Sequence, residues 1–321
     1  MSISVCVAYI IILATAMSIS TVHCLRQALL NGSKSYGPLI LSDSPIVAEL
    51  LGGIGYGHIV VDHEHSPTNV RSGYNLLQAI QAGQRPENPR TTPIVRVPSP
   101  NDPVYMKKVL DSLHLPGGIL VPMVDDADTA RAVVRSTRYP SMRKKKNLDS
   151  SGEITAGGGE DDEEEGIYRG VAAPFVRGSS WGLQMPDYLQ LCEEDLLVMV
   201  QVESAVGVDA IPDIAAVPGV DAIFLGPFDL SASIGKMGQF QDPEVQELIA
   251  RAERAVIAYG SSDSRAESSP CLLAGFQSAG RNLKSMFYDH GYSLVCGSVD
   301  LALLREGALK DVNEANEALK G

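Results

Sequence analysis

The chain of 321 residues is short of basic side chains and of cysteine. It has 26 Lys and Arg residues against 39 Asp and Glu residues, a formal net charge of −13, whereas phosphate recognition needs clustered cations. We therefore expect no nucleic acid among its partners. The five cysteines form no Cys-x-x-Cys pair, and an odd number of widely spaced thiols is typical of a reduced, cytoplasmic protein.

Motifs of several large enzyme classes are absent as well. The sequence has no GxxxxGK[ST] phosphate loop and no HExxH zinc motif. The glycines Gly53, Gly55 and Gly57 resemble a dinucleotide-binding loop, but that loop follows a strand and this run precedes one. No lysine stands at the end of a predicted strand, which disfavours catalysis through a Schiff base.

Charged side chains are missing from residues 2–22, and residues 5–17 are strongly apolar. This pattern predicts an apolar leader over residues 1–24, with three alternatives for its nature. The alternatives for this leader are a signal peptide, a membrane anchor and an over-extended start of the chain. A real targeting segment would make the protein secreted or membrane-anchored, with membrane contact only if the leader is retained. Otherwise we expect a cytoplasmic protein.

From residue 25 onwards, short apolar runs alternate with helix-like runs. The predicted strands are residues 38–41, 58–62, 93–97, 118–124, 196–202, 221–225, 271–275 and 293–297. Eight strands, each followed by a helix, predict an α/β fold, a (β/α)₈ TIM barrel, as a single domain over residues 25–321. Residues 141–166 are charged, rich in glycine and without periodicity, so we predict a disordered insertion there.

Polar residues at the carboxyl ends of the predicted strands are the candidate site, because catalytic residues of (β/α)₈ barrels lie there. Glu203 at the end of the fifth strand and Asp229 after the sixth could bind Mg²⁺ or Mn²⁺, which favour carboxylate oxygens. Gln201 lies two residues before Glu203 and therefore on the same face of the strand. The alternative is that these acids form structural ion pairs with Arg96 or Arg169.

Two further residues at this rim can take part in chemistry. His65, just after the second strand, is either a general base, since its pKa is close to neutrality, or a surface histidine. Arg96 lies in an otherwise apolar strand. Its planar guanidinium suits a carboxylate or an enolate oxygen.

Several motifs, in the same order, resemble the HpcH/HpaI family of class II pyruvate aldolases. Those motifs are residues 60–67 (VVDHEHSP), 93–96 (PIVR), 101–103 (NDP), 120–124 (LVPMV), 201–203 (QVE) and 226–231 (GPFDLS). The resemblance extends from about residue 25 to residue 319 and is interrupted by insertions. The family includes 4-hydroxy-2-oxoheptane-dioate aldolases and 2-keto-3-deoxy-sugar-acid aldolases.

The resemblance implies a role for each matching residue. Glu203 and Asp229 match the ligands of a divalent metal ion, Mg²⁺, Mn²⁺ or also Co²⁺. Arg96 matches the arginine that binds the 2-oxo acid and stabilises its enolate, and Gln201 a residue lining the pyruvate site. The resemblance also implies the following: His65 is the catalytic histidine, Asp111 is its acidic partner, and backbone amides at Phe228 and Asp229 hold the pyruvate carboxylate.

The resemblance also implies a homo-hexamer with exchanged C-terminal helices. Two departures from the family pattern concern the site. His63 stands where the family often has Gly, and Phe228 replaces a usual Ala, which predicts a tighter pocket floor.

The sequence thus predicts a metal-dependent aldolase, a carbon–carbon lyase. It would cleave 4-hydroxy-2-oxo acids to pyruvate and an aldehyde, or form them, through a metal-stabilised enolate. Its partners would be a small-molecule 2-oxo acid and an aldehyde. Two alternatives stay open at this point: a CoA-ester lyase like the citrate lyase β subunit, and a non-catalytic barrel that only binds a 2-oxo acid.

Overall fold

The computed structural model of the chain describes residues 24–86, 91–139, 169–260, 271–277 and 280–320. The strands are, in chain order, β1 (Ser35–Ile40), β2 (His58–Asp62), β3 (Thr92–Arg96), β4 (Gly117–Val121), β5 (Leu196–Val202), β6 (Ala222–Leu225), β7 (Leu272–Phe276) and β8 (Leu294–Val299). All pairings are parallel and follow chain order, and β8 pairs with β1 to close the barrel. The predicted (β/α)₈ TIM barrel is confirmed.

Helices surround this barrel. In the part of the chain described above they are α1 (Leu25–Leu30), α2 (Pro45–Ile54), α3 (Val70–Gly83), α4 (Pro103–Ser112), α5 (Ala127–Thr137), α6 (Met185–Glu194), α7 (Ala205–Asp209), α8 (Ile211–Ala215), α9 (Pro227–Ser233), α10 (Pro243–Gly260), α11 (Leu283–Tyr288) and α12 (Asp300–Leu319). After the predicted strand 196–202, the sequence pattern predicts one helix over residues 206–217. The structure has two helices there, α7 and α8. Pro212, which lacks an N–H, stands in the first turn of the second of them.

Side-chain caps define where the helices begin beside the carboxyl rim. Asn69 accepts hydrogen bonds from the amides of Arg71 and Ser72 and forms a capping box at the start of α3. Asp102 accepts from the amide of Tyr105 at the start of α4. These caps satisfy amides that have no partner within the helix and so determine the short loops after β2 and β3.

The core has two layers, as expected for strands that are covered on both faces. Outward-facing residues such as Ile59, Val61 and Val95 pack against the helices, and inward-facing residues such as Val60 and Ile94 fill the barrel. The inner layer also includes Leu25 and Leu29 of α1, so this helix covers the amino end of the barrel. Its Arg26 forms an ion pair of 2.8 Å with the buried Asp221 before β6.

A neutral polar cluster lies in the barrel interior near its amino end. His58 is fully buried, with Nδ1 2.8 Å from the Ser35 hydroxyl and Nε2 3.4 Å from Cys296 Sγ. Burial lowers the pKa of His58 to about 3 and raises the pKa of Cys296 to about 12. Cys296 is therefore a neutral thiol of the core.

Two predicted segments, the leader over residues 1–24 apart from Cys24 and the insertion over residues 141–166, lie outside the described residues. Among the residues that are described, no helix combines the length and the apolar character needed to cross a membrane.

Candidate active site

Arg96 is the best-anchored charged residue at the carboxyl rim. It ends β3 directly opposite Asp62, which ends β2. The guanidinium forms two hydrogen bonds to the Asp62 carboxylate, Nε to Oδ1 at 2.7 Å and Nη2 to Oδ2 at 2.8 Å. Its third nitrogen, Nη1, lies 3.0 Å from Oε2 of Glu64. This bidentate pairing fixes the plane of a cation that is only 4 % exposed.

Asp62 also organises the turn that follows β2. Its carboxylate accepts hydrogen bonds from the amides of Glu64 at 3.0 Å and of His65 at 3.2 Å. Its backbone carbonyl accepts from the Ser66 hydroxyl. The turn therefore holds Glu64 and His65 in place through the same carboxylate that holds Arg96.

Glu64 links Arg96 to His65. Its Oε2 lies 3.0 Å from Arg96 and its Oε1 3.6 Å from Nε2 of His65. Burial raises the pKa of Glu64 to about 7, against the opposing effect of Arg96 and with added repulsion from Asp62 and Asp229. The sequence reasoning gave Glu64 no role. Its two-residue spacing from Asp62 was the sequence feature that could have indicated a place at the same site.

Glu203 and Asp229 provide the second acidic group. Glu203 is buried, and its Oε1 accepts a hydrogen bond of 2.8 Å from the Met123 amide, while Gln201 donates to its Oε2. The shared face of Gln201 and Glu203 is thereby confirmed. Burial, together with the negative charges of Asp229 and Glu64, raises the pKa of Glu203 to about 7, against the opposing hydrogen bonds from Met123 and Gln201. Asp229 lies exposed in the first turn of α9.

This donor set fits a divalent cation. Glu203, Asp229 and Glu64 repel one another electrostatically, and a bound cation reverses that repulsion. No cluster of three or more His, Cys, Asp or Glu side chains arranged for a metal ion occurs within the described ranges. Glu203 and Asp229 stay the predicted ligands, a number that suits Mg²⁺, which commonly binds through one or two carboxylates with water and substrate.

The structural ion pairs considered as an alternative are not formed. Arg96 pairs with Asp62 and Glu64, and Arg169 pairs with Asp111 at 2.7 Å. In the described portion of the chain, neither Glu203 nor Asp229 pairs with an arginine or a lysine.

The expected contact between Asp111 and His65 is absent from the chain as described. Asp111 lies eight residues after the start of α4, and at 1.5 Å per residue the helix carries it about 12 Å down from its start near the rim. Its carboxylate binds Arg169, which also donates to the Tyr188 hydroxyl. His65 is 62 % exposed, and its acidic neighbour is Glu64.

Phe228 lies exposed at the rim, and the tighter pocket floor expected from it stays a prediction. Its ring is 59 % exposed and packs edge-on against Phe240, with ring centroids 4.7 Å apart. It is the second residue of α9, where the helix turns its side chain outward. Pro227 has no N–H and the next amides of a helix lack internal partners, so carboxylate binding by the amides of Phe228 and Asp229 stays a prediction.

His63 fills the space beside the turn that follows β2. It is buried, its Nδ1 lies 2.9 Å from the Tyr105 hydroxyl, and burial lowers its pKa to about 4. A Cβ on Gly73 would come within 2.4 Å of the imidazole, so the bulk at residue 63 depends on glycine at residue 73. Sequence reasoning did not identify this pairing.

We expect the substitution Gly226→Ala to impair catalysis while the fold is retained. Gly226 has a φ of −102°, which alanine tolerates, but an added Cβ would lie 2.8 Å from Oε2 of Glu203 and 3.0 Å from Nε2 of Gln201. Displacing the carboxylate by a fraction of an ångström should lower kcat/KM by up to about 10²-fold. Gly307→Ala, where an added Cβ meets nothing within 4 Å, is the matched control. Wild-type kcat/KM in Gly226→Ala would contradict the assigned position of Glu203.

A parallel barrel with one clamped guanidinium and several carboxylates at its carboxyl rim defines an enzyme that stabilises negative charge on a substrate oxygen. The sequence model of the family "HpcH/HpaI aldolase/citrate lyase" matches residues 37–267, and the chain belongs to this family. The predicted resemblance is confirmed.

Similar proteins agree with this assignment. The chain is 35% identical over 283 residues to a 4-hydroxy-2-oxo-heptane-1,7-dioate aldolase of Escherichia coli, covering 88% of this chain and 91% of that protein. The corresponding Klebsiella pneumoniae aldolase is 34% identical over the same length, covering 88% and 90%. A solved HpcH/HpaI family structure from Burkholderia cenocepacia superposes with a TM-score of 0.71 at 31% identity, covering 91% and 98%. The chain is a class II aldolase, a carbon–carbon lyase that acts on small molecules.

Proposed function

We propose that this aldolase cleaves 4-hydroxy-2-oxo acids to pyruvate and an aldehyde, or catalyses the reverse addition. The observation that carries the proposal is the Arg96 guanidinium held by Asp62, with Glu203 directly after β5 and Asp229 in the first turn of α9, which follows β6, at the same rim. The names of the aldolases from Escherichia coli and Klebsiella pneumoniae support a substrate of this class.

Arg96 would bind the 2-oxo acid and stabilise the enolate that forms when the C3–C4 bond breaks. Its Nε and one N–H of Nη2 bind Asp62 and its Nη1 faces Glu64, so the second N–H groups of Nη1 and Nη2 are the donors left for substrate oxygens. The pairing orients these donors before the substrate arrives. Preorganised donors of this kind account for much of the stabilisation of a developing oxyanion.

The family is metal-dependent, and we propose Mg²⁺ or Mn²⁺, with Co²⁺ as a further option, held by Glu203 and Asp229. Once bound, the cation supplies Lewis-acid polarisation of the keto group. Glu203 is held by the Met123 amide and by Gln201, so it is oriented in advance. Gln201 would in addition line the site for the 2-oxo acid.

His65 would take the proton of the 4-hydroxyl group, with Glu64 as its acidic partner within the chain. We expect Glu64→Gln to lower kcat at least about tenfold, part of the 10²–10⁴-fold that a general base contributes. Asp111→Asn should leave kcat unchanged and lower thermal stability, because Asp111 binds the buried Arg169. Steady-state kinetics of both variants, with circular dichroism to check folding, makes the comparison. An equal fall of kcat in Asp111→Asn would instead favour Asp111 as the partner of His65.

The proposed reaction is tested by pyruvate release. The purified protein is given a series of 4-hydroxy-2-oxo acids that differ in the aldehyde portion, and pyruvate is followed with lactate dehydrogenase and NADH. We expect turnover that stops with EDTA and returns with Mg²⁺ or Mn²⁺. A hydroxyacyl-CoA ester is the comparison substrate. Cleavage of the CoA ester without release of pyruvate from any 4-hydroxy-2-oxo acid would overturn the proposal.

We further propose a homo-oligomer, a hexamer by resemblance, held together through α12. Asp300 is the one buried residue of this 20-residue helix, where it accepts hydrogen bonds from the amides of Leu41 and Ser42. Leu301, Leu304, Val312 and Leu319 recur at helical spacing and are 46 %, 68 %, 47 % and 83 % exposed. An apolar stripe on a projecting helix favours burial against another subunit.

The double variant Leu304→Glu/Val312→Glu should therefore dissociate the assembly. Each substitution places a charge in the apolar stripe, which is unfavourable once the stripe is buried. Lys310→Glu changes the net charge by the same two units on the opposite side of the helix and should leave the mass unchanged. Light scattering coupled to size-exclusion chromatography measures the mass. Equal masses of the wild type and the double variant would refute an interface through α12.

Cytoplasmic localisation stays a prediction. N-terminal sequencing of the mature protein tests whether residues 1–24 are retained, as expected of a membrane anchor, or absent, as expected of a cleaved signal peptide or an over-extended start.

A further inference from the structure

A second cavity lies at the amino end of the barrel, opposite the catalytic rim. Its volume is about 480 Å³, which is within the range of small-molecule sites. Its walls come from the start of β3, the end of α3, the loop after α4 and the 3₁₀ turn Arg177–Ser179. Pro93 of β3, which lines the cavity, precedes Arg96 by three residues, a distance of about 10 Å along the strand at 3.3 Å per residue.

Arg177 is a buried charge that has no counter-charge among the described residues. It is 7 % exposed, and its guanidinium donates to the Ser112 carbonyl at 2.6 Å and to Oε1 of Gln81 at 3.0 Å, both neutral groups. Its carbon Cζ lies 5.3 Å from the centre of the Tyr74 ring. No carboxylate in the described chain forms an ion pair with it. A buried, unpaired guanidinium is costly, so an anion beside it would be strongly favoured.

His114 lines the same cavity and is also unsatisfied. Its Nε2 is buried and has no hydrogen-bond partner. Burial and the positive charge of Arg177 lower the pKa of His114, against the opposing effect of a hydrogen bond to the Arg177 backbone, so the two residues are close. A buried polar atom without a partner is unusual in folded proteins.

Two carboxylates, Asp187 and Asp195, lie on other parts of the wall. Neither has a resolved effect on Arg177, whose pKa is lowered by burial and opposed only by Tyr74. They do not neutralise the guanidinium, but they make a highly charged anion unfavourable in the same cavity.

We propose that this cavity is an anion-binding site for a small molecule with a single carboxylate or phosphate group. The oxyanion would accept hydrogen bonds from the free N–H groups of Arg177 and from His114 in its protonated form. Planar guanidinium groups match both kinds of oxyanion. The ligand would thus provide the counter-charge that the protein does not. The cavity contains none of the residues assigned to the aldolase rim.

The competing explanation is that Arg177 only caps the carbonyl of Ser112 at the end of α4. A structural cap leaves His114 insensitive to added anions, whereas a binding site does not. The pKa of His114 is therefore the discriminating measurement. It is read by NMR on protein labelled with ¹³C in the histidine ring, with the signal assigned from His114→Asn.

Inorganic phosphate and pyruvate are the two probes, titrated separately. We expect the pKa of His114 to rise by about one unit, saturably, with at least one of them, because a bound anion favours the charged imidazole. The effective probe identifies the preferred oxyanion. The shift should disappear in Arg177→Gln and persist in Arg71→Gln, an exposed arginine that loses the same charge. It should also persist in a protein with Arg96 replaced, which removes binding at the rim.

An unshifted His114 with both probes, or an equal shift in Arg177→Gln, would overturn the proposal. If Arg177→Gln does not fold, Arg177→Lys keeps the charge and loses the planar fork. In that variant the apparent Kd of the effective probe should weaken about tenfold. An unchanged Kd would equally overturn it.

Discussion

Replacing Arg96 by alanine is expected to lower kcat for pyruvate release by about 10²–10³-fold, the loss typical when one preorganised oxyanion donor is removed. Arg96→Lys should not rescue the enzyme. A lysine keeps the charge but cannot hold Asp62 through two bonds and face the substrate as well. Steady-state kinetics with saturating metal ion and substrate measures the effect.

Arg96→Ala could also lose activity because the fold is destabilised. Asp62 is fully buried, and removal of its partner leaves an unpaired charge, at a cost of about 3–5 kcal/mol. The double variant Asp62→Asn/Arg96→Met removes both charges and should recover most of the stability in urea unfolding. It should remain inactive. Recovery of turnover together with stability would show that Arg96 serves the fold and not the reaction.

The variant Glu203→Gln should show opposite effects on activity and on the stability of the metal-free protein. Turnover should fall to the level seen with EDTA, because a neutral amide binds Mg²⁺ and Mn²⁺ poorly. The metal-free protein should become more stable by about 1–3 kcal/mol at pH 8, since the ionised Glu203 is buried among Asp229 and Glu64.

The expected gain in stability of the metal-free Glu203→Gln variant follows from the raised pKa of Glu203. The folded protein holds the proton up to about pH 7, whereas the unfolded chain loses it near pH 4.5. The destabilisation is thus absent below about pH 4.5 and complete above about pH 7. Urea unfolding at pH 5 and pH 8, with and without Mg²⁺, measures it. Asp187→Asn, an exposed acid far from the rim, is the control. Metal-dependent turnover in Glu203→Gln would contradict its role as a ligand.

The barrel was predictable because its strands carry strong local signals. The predicted ranges 58–62 and 196–202 coincide with β2 and β5, which are continuous apolar runs covered on both faces. The helices α1, α6 and α9 were not predicted. Each is short, and α1 is helical because the barrel interior buries Leu25 and Leu29. Tertiary contacts of that kind leave little trace in local sequence.

Some features of the site were likewise predictable from the sequence, and others were not. Strand ends gave the positions of Arg96, Gln201 and Glu203, because parallel strands bring their carboxyl ends to one rim. The ion-pair partners of Glu64 and Asp111 were not predictable, because they depend on which side chain lies nearest in the folded structure. Asp111 meets Arg169, which lies 58 residues later in the chain. No local pattern specifies such a contact.

The position of α1 limits how the chain can be processed. Leu25 and Leu29 fill the amino end of the barrel, and Arg26 is the counter-ion of the buried Asp221. A cut after Leu29 would uncover apolar surface and leave the Asp221 carboxylate buried without its cation. The barrel itself thus sets a downstream boundary for any cleavage that removes the predicted leader.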